Sequence, residues 1–429
     1  MSDDKFDAIV VGAGVAGTIA GYVMAKAGLE VLVIERGNFA GSKNMTGGRL
    51  YAHSLEKIIP GFAKEAPVER KVTHEKVSFL TKDSAVTLDY QAQRAEQPLQ
   101  ESYTVLRSKF DPWLMEKAEE AGVQFIAGIR VDELVIENGQ VAGVKAGDDI
   151  LEANLVILAD GVNSLLGKSL GMVPDLSPHN VAVGVKELIE LPRQQLEDRF
   201  NLIGGEGTAW LFAGSPSNGL LGGGFLYTNQ DTVSLGVVCG LADIERSDKS
   251  VPQMLEDFKQ HPAIQPLIEG GKLIEYSAHM VPEGGYDMLP KLSGNGVMVV
   301  GDAAGLCLNL GFTVRGMDLA IASGEAAAKA AIVAKQHNDF SAKALALYQE
   351  LLQENFVLKD MKLYKKLPAF LENPRMFNDY PRMAADMMSD LFVVDGTPAK
   401  PMLGKLLRHG KQVGLINLLK DGIKGVRAL

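Results

Sequence analysis

Three carboxylates follow short apolar runs of the sequence, at Glu35, Asp160 and Asp302. The runs before them, VLVI, NLVILA and GVMVVG, are typical of strands buried on both faces. Ligands of open α/β sheets bind at the carboxyl ends of the strands, where these side chains would meet. The ordered set predicts a site for FAD rather than NAD, because the longer cofactor needs second and third contacts along its ribityl and flavin parts.

The first of these carboxylates closes a nucleotide-binding motif over Lys5 to Arg36. An apolar strand from Ala8 to Val11 leads into a G-x-G-x-x-G turn, and a second strand, Val31 to Ile34, ends next to Glu35. The glycines of the turn are Gly12, Gly14 and Gly17. In order, they permit a tight turn, let backbone N–H groups approach a pyrophosphate and allow a helix to pack on the sheet. A carboxylate after the second strand can accept both hydrogen bonds of an adenosine ribose.

A competing interpretation of the same stretch is a transmembrane helix over Ala8 to Ala25, which carry no charge. Four glycines in that window make it a poor spanning helix. Asp3, Asp4 and Asp7 precede it, where a signal peptide would be basic. The nucleotide-binding interpretation is therefore favoured.

Composition sets the broad class of the protein. A chain of 429 residues, 46% hydrophobic and 22% charged, is long enough for two or three globular domains. A net charge of −10 argues against a general nucleic-acid binder. The two cysteines, Cys239 and Cys307, suit a reducing cytoplasm and cannot by themselves hold an iron–sulfur cluster, which normally needs four.

Two further features lie near the expected cofactor. Paired Gly47 and Gly48 imply that backbone closely approaches something flat or bulky, or else form an ordinary turn before a helix at His53 to Ile59. Arg107 precedes a predicted helix that starts near Asp111 and has a proline in its first turn. This arginine is either one of many at the surface or a contact of a cofactor phosphate or ribityl chain.

The middle of the chain predicts antiparallel structure. Gln124 to Val131 and Gln140 to Ala146 are predicted as two strands flanking an Asn-Gly hairpin turn at 138–139. Polar-alternating runs from Asn180 to Lys272 predict a second, antiparallel-rich domain lying over the flavin. No catalytic triad or zinc-ligand spacing is present, so His53, His74 and His279 are interpreted as ordinary residues.

Several motifs resemble one flavoprotein family. They are GAGVAG with Glu35, LRSKFDPWL around Arg107, LADGVNSLLG, and VVGDAAGLCLNLGFTVRGMDLAIASGEAAA. They look like the FAD-binding fold shared by p-hydroxybenzoate hydroxylase, geranylgeranyl reductases and electron transfer flavoprotein:quinone oxidoreductases. The similarity is closest to bacterial FixC-type quinone oxidoreductases and covers nearly the whole chain, including KNMTGGRLYAHSLEKIIPGF, YSAHMVPEGG and RHGKQVGLINLLKDG.

The resemblance implies an α/β, two-domain FAD-binding fold with an antiparallel-sheet substrate domain and a helical C-terminal segment. It implies a flavin domain at 1–75, 105–178 and 275–335, a quinone domain at 76–104 and 179–274, and a helical region at 336–429. Together with the motifs, it implies that FAD is bound by Val11, Gly12, Ala13, Gly14, Ala16, Gly17, Glu35, Arg36, Gly47, Gly48, Arg107, Val131, Asp160, Gly161, Gly301, Asp302, Gly311 and Phe312. By the same pattern, an Ala-rich helix from Met317 to Lys335 directs its N-terminal end at the pyrimidine side of the flavin.

The resemblance also implies a function, an oxidoreductase that accepts electrons from an electron transfer flavoprotein and passes them to membrane quinone. Mitochondrial-type members carry a four-cysteine cluster domain, which this sequence lacks, so a separate ferredoxin-like iron–sulfur subunit is expected. A polyprenyl reductase or NAD(P)H-dependent hydroxylase, and a non-catalytic flavin-binding subunit, are the alternatives. No catalytic residue is compelled by the sequence.

An uncharged stretch from Gly207 to Gln230 carries candidate quinone contacts. They are Trp210, Leu211, Phe212, Leu220, Leu221, Phe225, Leu226 and Tyr227. Such residues more often form the core of a domain than a ligand pocket. Both interpretations stay open.

The C-terminal segment, Gly396 to Leu429, predicts attachment to the inner face of the cell membrane. It carries +6 in a chain whose total is −10. Its basic residues are Lys400, Lys405, Arg408, Lys411, Lys420, Lys424 and Arg427, interleaved with Leu403, Leu406, Leu407, Ile416, Leu419, Ile423 and Val426. This spacing gives short helices an apolar stripe flanked by cations. The alternative is a tail that packs the stripe on the acidic body of the chain or docks a partner subunit.

Overall fold

The computed structural model describes residues 5–43, 48–92, 97–398 and 401–429. Its strands are β1 (Phe6–Val11), β2 (Val31–Glu35), β3 (Arg49–Tyr51), β4 (Val68–Leu80), β5 (Ala85–Gln91), β6 (Ser102–Val105), β7 (Gln124–Ala127), β8 (Glu133–Glu137), β9 (Gln140–Ala146), β10 (Asp149–Leu158), β11 (Val181–Glu190), β12 (Glu206–Gly214), β13 (Gly222–Thr228), β14 (Thr232–Gly240), β15 (Lys272–Pro282), β16 (Ser293–Gly294), β17 (Val297–Val299), β18 (Leu308–Asn309) and β19 (Val314–Arg315).

The helices follow the same chain order. They are α1 (Val15–Lys26), α2 (His53–Ile58), α3 (Arg107–Glu120), α4 (Leu165–Ser169), α5 (Arg193–Phe200), α6 (Leu241–Ile244), α7 (Val251–Lys259), α8 (Gln265–Ile268), α9 (Met317–His337), α10 (Ala342–Leu345), α11 (Leu347–Glu354), α12 (Val357–Leu363), α13 (Leu367–Leu371), α14 (Asp379–Phe392), α15 (Met402–Val413) and α16 (Leu415–Ala428). The helices from α10 onward confirm the predicted helical C-terminal region.

The first sheet has the order β16-β17-β10-β1-β2-β7, and its strands from β17 to β7 run parallel. Val10 of β1 lies beside Ile157 of β10 and Val33 of β2. These side chains are fully buried, as is usual in a parallel sheet that is covered on both faces. The three apolar strands predicted before Glu35, Asp160 and Asp302 are β2, β10 and β17; they lie parallel in one sheet, with β1 between β2 and β10, and their carboxyl ends meet at one edge.

One predicted strand pairing is wrong. The Asn138-Gly139 turn does form a hairpin, with both residues at positive φ, but the strand before it is β8 (Glu133–Glu137). The predicted strand Gln124 to Val131 shortens to β7 and lies parallel to β2 at the far edge of the first sheet. The alternation of side chains along a strand does not depend on which strand it pairs with, so the sequence around the Asn-Gly turn could not show that Gln124–Ala127 pairs with β2.

The second sheet has the order β15-β11-β14-β13-β12-β4-β6-β3, with β5 beside β4. It confirms the antiparallel-rich domain, although β12 and β4 run parallel. The expected domain boundaries at 75/76 and 274/275 fall inside β4 and β15, which belong wholly to this sheet. The second sheet therefore takes in more of the chain than the sequence suggested.

Helix α3 starts earlier than predicted. Arg107 is its first residue rather than its predecessor, and Pro112 lies inside the helix instead of in the first turn. The Arg107 guanidinium donates to both carboxylate oxygens of Asp111, at 2.6 and 2.7 Å, and this pair spans the added turn. The ion pair holds the arginine at the helix start, facing the first sheet's carboxyl edge.

Helix α1 lies unusually close to the strand that precedes it. A Cβ on Gly17 would stand 2.1 Å from the carbonyl oxygen of Gly12, which itself has a φ of +106°. A Cβ on Gly324 of α9 would stand 2.2 Å from the carbonyl oxygen of Ala16. These glycines bring α1, α9 and the end of β1 together, as the motif predicted for Gly17.

Candidate functional site

A cavity of about 520 Å³ opens where the first sheet's carboxyl edge faces the second sheet. Its walls come from the turn at Gly14, the loop at Asp302, the strand segment Gly222–Gly224 of β13, helix α13 and the last residue, Leu429. Cavities of roughly 300–1,000 Å³ are typical of small-molecule and cofactor sites. Both domains and the C-terminal region therefore contribute to one site.

Glu35 is the last residue of β2, and its carboxylate lies beside the glycine-rich turn that follows β1. It accepts hydrogen bonds from the backbone N–H of Ala13 at 2.9 Å and of Gly37 at 2.7 Å. A carboxylate has about four acceptor positions, so each oxygen can still accept a further hydrogen bond. Two fixed oxygens with free acceptor positions suit the two hydroxyls of a ribose.

Asp302 and Arg107 both line the cavity and interact electrostatically. Burial raises the pKa of Asp302, against the opposing influence of Arg107 and His279. Burial lowers the pKa of His279, whose imidazole interacts electrostatically with Asp302, Arg107 and Arg36. His279 was interpreted as an ordinary residue, yet it belongs to this charged group; alternation along β15 gives its face but not its partners.

The expected FAD-binding residues divide into two sets. Gly14, Ala16, Gly48, Arg107, Gly161, Gly301, Asp302, Gly311 and Phe312 line the cavity. Val11, Gly12, Ala13, Gly17, Glu35, Arg36, Val131 and Asp160 are not part of its lining. Gly47 lies outside the described residues. A Cβ on Gly48 would stand 2.6 Å from the Tyr227 ring, so the flat group close to this glycine is an aromatic side chain of β13.

The wall that would face a flavin is made largely of glycine. A Cβ built on Gly161 or on Gly316 would meet nothing within 4 Å, and a Cβ on Gly311 would only touch Leu371 at 3.9 Å. The cavity thus leaves open space beside the backbone at three loops that the motifs assign to FAD. The residues present fit the cofactor.

The N-terminal end of α9 also faces the cavity, through Gly316 and Met317. Asp318 in the first turn is fully buried, and it accepts from Arg315 Nε at 2.8 Å and pairs with His53 Nε2 at 3.1 Å. Burial would raise the pKa of Asp318, but His53 and Arg315 outweigh that effect and hold it below its usual range. His53 therefore has a structural role behind the helix end.

The candidate quinone contacts lie on β12, on β13 and in the loop between them, and they are of two kinds. Leu211, Phe212, Leu221, Phe225 and Tyr227 line the cavity. Trp210, Leu220 and Leu226 do not, and they pack in the core of the second domain. Both interpretations of the stretch are thus partly correct, since some of these side chains line the cavity and others pack in the core.

Sequence reasoning missed the lining from other parts of the chain. These residues are Glu283, Cys307 and Asn309, and, from the C-terminal region, Leu367, Phe370, Leu371, Met376 and Phe377. Cys307 had been considered only as a metal ligand. The resemblance placed these apolar C-terminal residues in a helical region, but nothing local showed that they cover a cavity.

Family models match three parts of the chain. Residues 5–186 match an FAD binding domain, residues 181–281 the ubiquinone-binding domain of ETF-QO, and residues 367–429 the C-terminal domain of the ETF-QO/FixC family. The chain is 68% identical to the probable electron transfer flavoprotein-quinone oxidoreductase YdiS of Escherichia coli (strain K12), over the full length of both. It is 63% identical to protein FixC of the same strain, again over the full length of both.

This chain belongs to the ETF-QO/FixC family.

Solved structures support the fold of this ETF-QO/FixC protein. A geranylgeranyl bacteriochlorophyll reductase-like protein from Thermoplasma acidophilum is similar at a TM-score of 0.73 and 22% sequence identity. The match covers 95% of this chain and 98% of that chain. A probable FAD-dependent monooxygenase from Pseudomonas aeruginosa is similar at a TM-score of 0.61 and 17% sequence identity. The match covers 87% of this chain and 98% of that chain. The expected two-domain FAD-binding fold is confirmed, as is FAD as the cofactor of this family member.

Proposed function

We propose that this protein is an FAD-dependent oxidoreductase that accepts electrons from an electron transfer flavoprotein and passes them to membrane quinone. One observation carries the proposal: a single cavity is lined on one side by the FAD motifs and on the other by apolar residues of the matched ubiquinone-binding domain. The names of the relatives FixC and YdiS are consistent with it. A shared cavity lets both ligands approach each other without crossing a wall of protein.

The chain's residues would hold the cofactor along the first sheet's edge. Glu35 would accept from the adenosine ribose, the N-terminal end of α1 at Gly14 would meet the pyrophosphate, and Asp302 would contact the ribityl chain. The end of α9 near Gly316 would favour negative charge on the pyrimidine side. When bound, FAD supplies a group that accepts electrons singly or in pairs, which joins a one-electron donor to a two-electron quinone.

The electron donor separates this proposal from its alternatives. The oxidised holoprotein is mixed without oxygen with reduced electron transfer flavoprotein, with NADH or with NADPH, and its flavin absorbance is followed. The proposal expects bleaching by the electron transfer flavoprotein alone. Bleaching by a nicotinamide would favour a hydroxylase or polyprenyl reductase, and bleaching by none of the three would favour a non-catalytic flavin-binding subunit.

A ferredoxin-like iron–sulfur subunit is part of the proposal. Cys239 lies buried on β14 and Cys307 lies on the cavity wall, and no group of metal-ligating residues is found in the described parts of the chain. We expect the purified chain to contain no stoichiometric iron and to show flavin absorbance only. Electron paramagnetic resonance of the reduced protein checks this, and a cluster signal from the chain alone would contradict it.

The membrane surface is the proposed location of the electron acceptor. No helix among the described residues combines the length and the apolar composition that crossing a bilayer requires. Helix α16 instead packs on the protein through Asp421, Gly425 and Ala428, which are buried. Asp421 accepts from Arg375 at 2.7 and 2.8 Å and from the Tyr380 hydroxyl at 2.6 Å.

The predicted apolar stripe of α16 is consequently left in solvent. Ile416, Leu419, Ile423 and Val426 are 69%, 66%, 46% and 81% exposed. This arrangement contradicts the alternative in which the stripe packs on the body of the chain. Leu403, Leu406 and Leu407 of α15 are also exposed, as are Phe392, Val393 and Val394 just before it.

Cations surround this face, which we call the C-terminal apolar face. Lys411, Lys420, Lys424 and Arg427 are exposed, whereas Arg408 is paired with Asp390, and Lys400 lies outside the described residues. Each cation near anionic lipid contributes about 1 kcal/mol of attraction. Because Leu429 and α13 line the cavity, a membrane on this face would place quinone beside the cavity entrance. We propose this face as the contact with the inner surface of the cell membrane.

The double variant Ile416→Glu, Leu419→Glu is expected to lose co-sedimentation with anionic liposomes at low salt. Each change replaces an exposed apolar side chain by a charge that lipid repels, and α16 remains docked through Asp421. The matched control is Leu165→Glu, Ile203→Glu, two side chains 68% and 78% exposed outside the C-terminal region. Equal liposome binding by both double variants would show that the C-terminal apolar face is not the membrane contact. Binding of this face to a partner subunit instead of lipid would show that it is a protein interface.

A further inference from the structure

Glu283 is a carboxyl on the cavity wall that the cofactor motifs do not use. It follows the last residue of β15, and its backbone N–H donates to the carbonyl oxygen of Asn180 at 2.8 Å, which fixes its position. Its side chain accepts from Asn309 Nδ2 at 3.3 Å. Among the described lining residues, Asp302 is the other carboxyl side chain, and it faces Arg107 and His279 at the cofactor edge.

The surroundings of Glu283 favour its protonated form. Among the described residues, the ionisable group that interacts with it electrostatically is the thiol of Cys307, whose own pKa is raised well above its usual value by burial and by Glu283, Asp302 and Asp318. Burial raises the pKa of Glu283 to about 7, and the hydrogen bond from Asn309 only partly opposes this. Among the described residues no cation compensates the Glu283 carboxylate, whereas Asp302 has Arg107.

Quinone reduction needs protons as well as electrons. Each quinone takes up two electrons and two protons, and one O–H bond forms on each oxygen. The electrons come from the reduced flavin, but protons must cross a cavity whose walls are mainly apolar, such as Leu211, Leu221 and Phe225. A carboxyl that changes charge near the working pH is the most effective proton carrier in such a place.

We propose that Glu283 delivers a proton to an oxygen of quinone as the quinone is reduced in this cavity. The Glu283 O–H bond breaks, the quinone O–H bond forms, and the carboxylate then takes a proton back from water. The inference rests on the proposed quinone reduction and adds the residue that serves it. Tyr227 and Cys307 also line the cavity, but burial raises the pKa of each and makes both poorer acids.

The test is a single turnover that needs no partner protein. The flavin of the holoprotein is reduced with one equivalent of dithionite without oxygen, then mixed with a short-chain ubiquinone, and reoxidation is followed by stopped flow. Glu283→Gln keeps the shape of the side chain but removes the carboxyl proton that would be transferred, so we expect flavin reoxidation to slow about 100-fold. Glu283→Asp should retain a larger part of the rate. The matched control, Glu372→Gln, removes an exposed carboxyl next to the cavity residue Leu371 and should react like the wild type.

The pH profile separates proton delivery from a packing defect. The wild-type rate should fall as pH rises through about 7, where Glu283 loses its proton, whereas the Glu283→Gln rate should stay flat. A wild-type-like rate and profile in Glu283→Gln would overturn the proposal. A wild type whose flavin is not reoxidised by quinone at all would instead overturn the proposed function.

Stability provides a readout independent of turnover. The pKa of Glu283 is raised from 4.5 in the unfolded chain to about 7, so its protonated form stabilises the fold fully below pH 4.5, and this contribution is lost as pH rises through 7. Urea unfolding of the holoprotein should therefore show Glu283→Gln gaining stability relative to the wild type between pH 5 and pH 8. An unchanged difference across that range would show that Glu283 does not titrate as the proposal requires.

Discussion

Gly14→Val is expected to give a folded protein that retains almost no FAD. The backbone at Gly14 has a φ of −74° and a ψ of 173°, an ordinary extended conformation that valine adopts without strain. Gly14 lines the cavity at the start of α1, where the cofactor pyrophosphate would meet the helix end. A loss of about 3 kcal/mol in binding raises the Kd more than 100-fold.

The ratio of flavin to protein absorbance after gel filtration measures this effect, with circular dichroism as the check on folding. Gly205→Val is the matched control, because Gly205 lies in an exposed loop where a Cβ meets nothing within 4 Å. Asp302→Ala should also lower FAD occupancy, since it removes a carboxylate from the ribityl end of the cavity. Full occupancy in both Gly14→Val and Asp302→Ala would mean that these motifs do not bind FAD.

Gly17→Val is expected to abolish folding rather than cofactor binding alone. A Cβ at Gly17 would stand 2.1 Å from the carbonyl oxygen of Gly12 and 3.0 Å from the Ala159 side chain. Backbone atoms cannot yield as a flexible side chain does, so the cost should exceed the roughly 1–3 kcal/mol usual for overpacking. That is a large part of the 5–15 kcal/mol by which domains are stable.

Thermal unfolding and yield of soluble protein measure the effect of Gly17→Val. Gly422→Val, at an exposed position of α16 where a Cβ meets nothing within 4 Å, is the helical control and should fold. The two motif variants thus separate two roles within one motif, cofactor approach at Gly14 and helix packing at Gly17. A folded Gly17→Val protein with normal flavin content would contradict the close packing of α1 on β1.

The first sheet could be predicted from the sequence because each of its central strands is a run of consecutive apolar residues. The apolar runs before Glu35, Asp160 and Asp302 are typical of strands that are buried on both faces, and such strands occur in parallel sheets. The pairing of Gln124–Ala127 could not be predicted, because its partner β2 is distant in the chain. The start of α3 was misplaced because Pro112 usually marks a first turn, whereas an ion pair extends this helix by a turn.

The candidate site could be predicted only on its cofactor side. Glycine turns and strand-end carboxylates carry a mechanism that a single sequence reveals. The other wall joins Glu283, Asn309 and Leu429, whose proximity is a product of tertiary packing. Phe225 and Leu226 were both named as candidate quinone contacts, and nothing in the local sequence showed that only Phe225 would line the cavity while Leu226 packs in the core.

The central claim is that electrons pass from an electron transfer flavoprotein through this protein to quinone. Its most direct test is steady-state turnover without oxygen, with reduced electron transfer flavoprotein, a short-chain ubiquinone and catalytic amounts of the holoprotein. The account predicts that quinol forms in proportion to the donor oxidised, and that Gly14→Val lacking FAD forms none. Donor oxidation without quinol, or quinol formation that does not require the bound flavin, would contradict it.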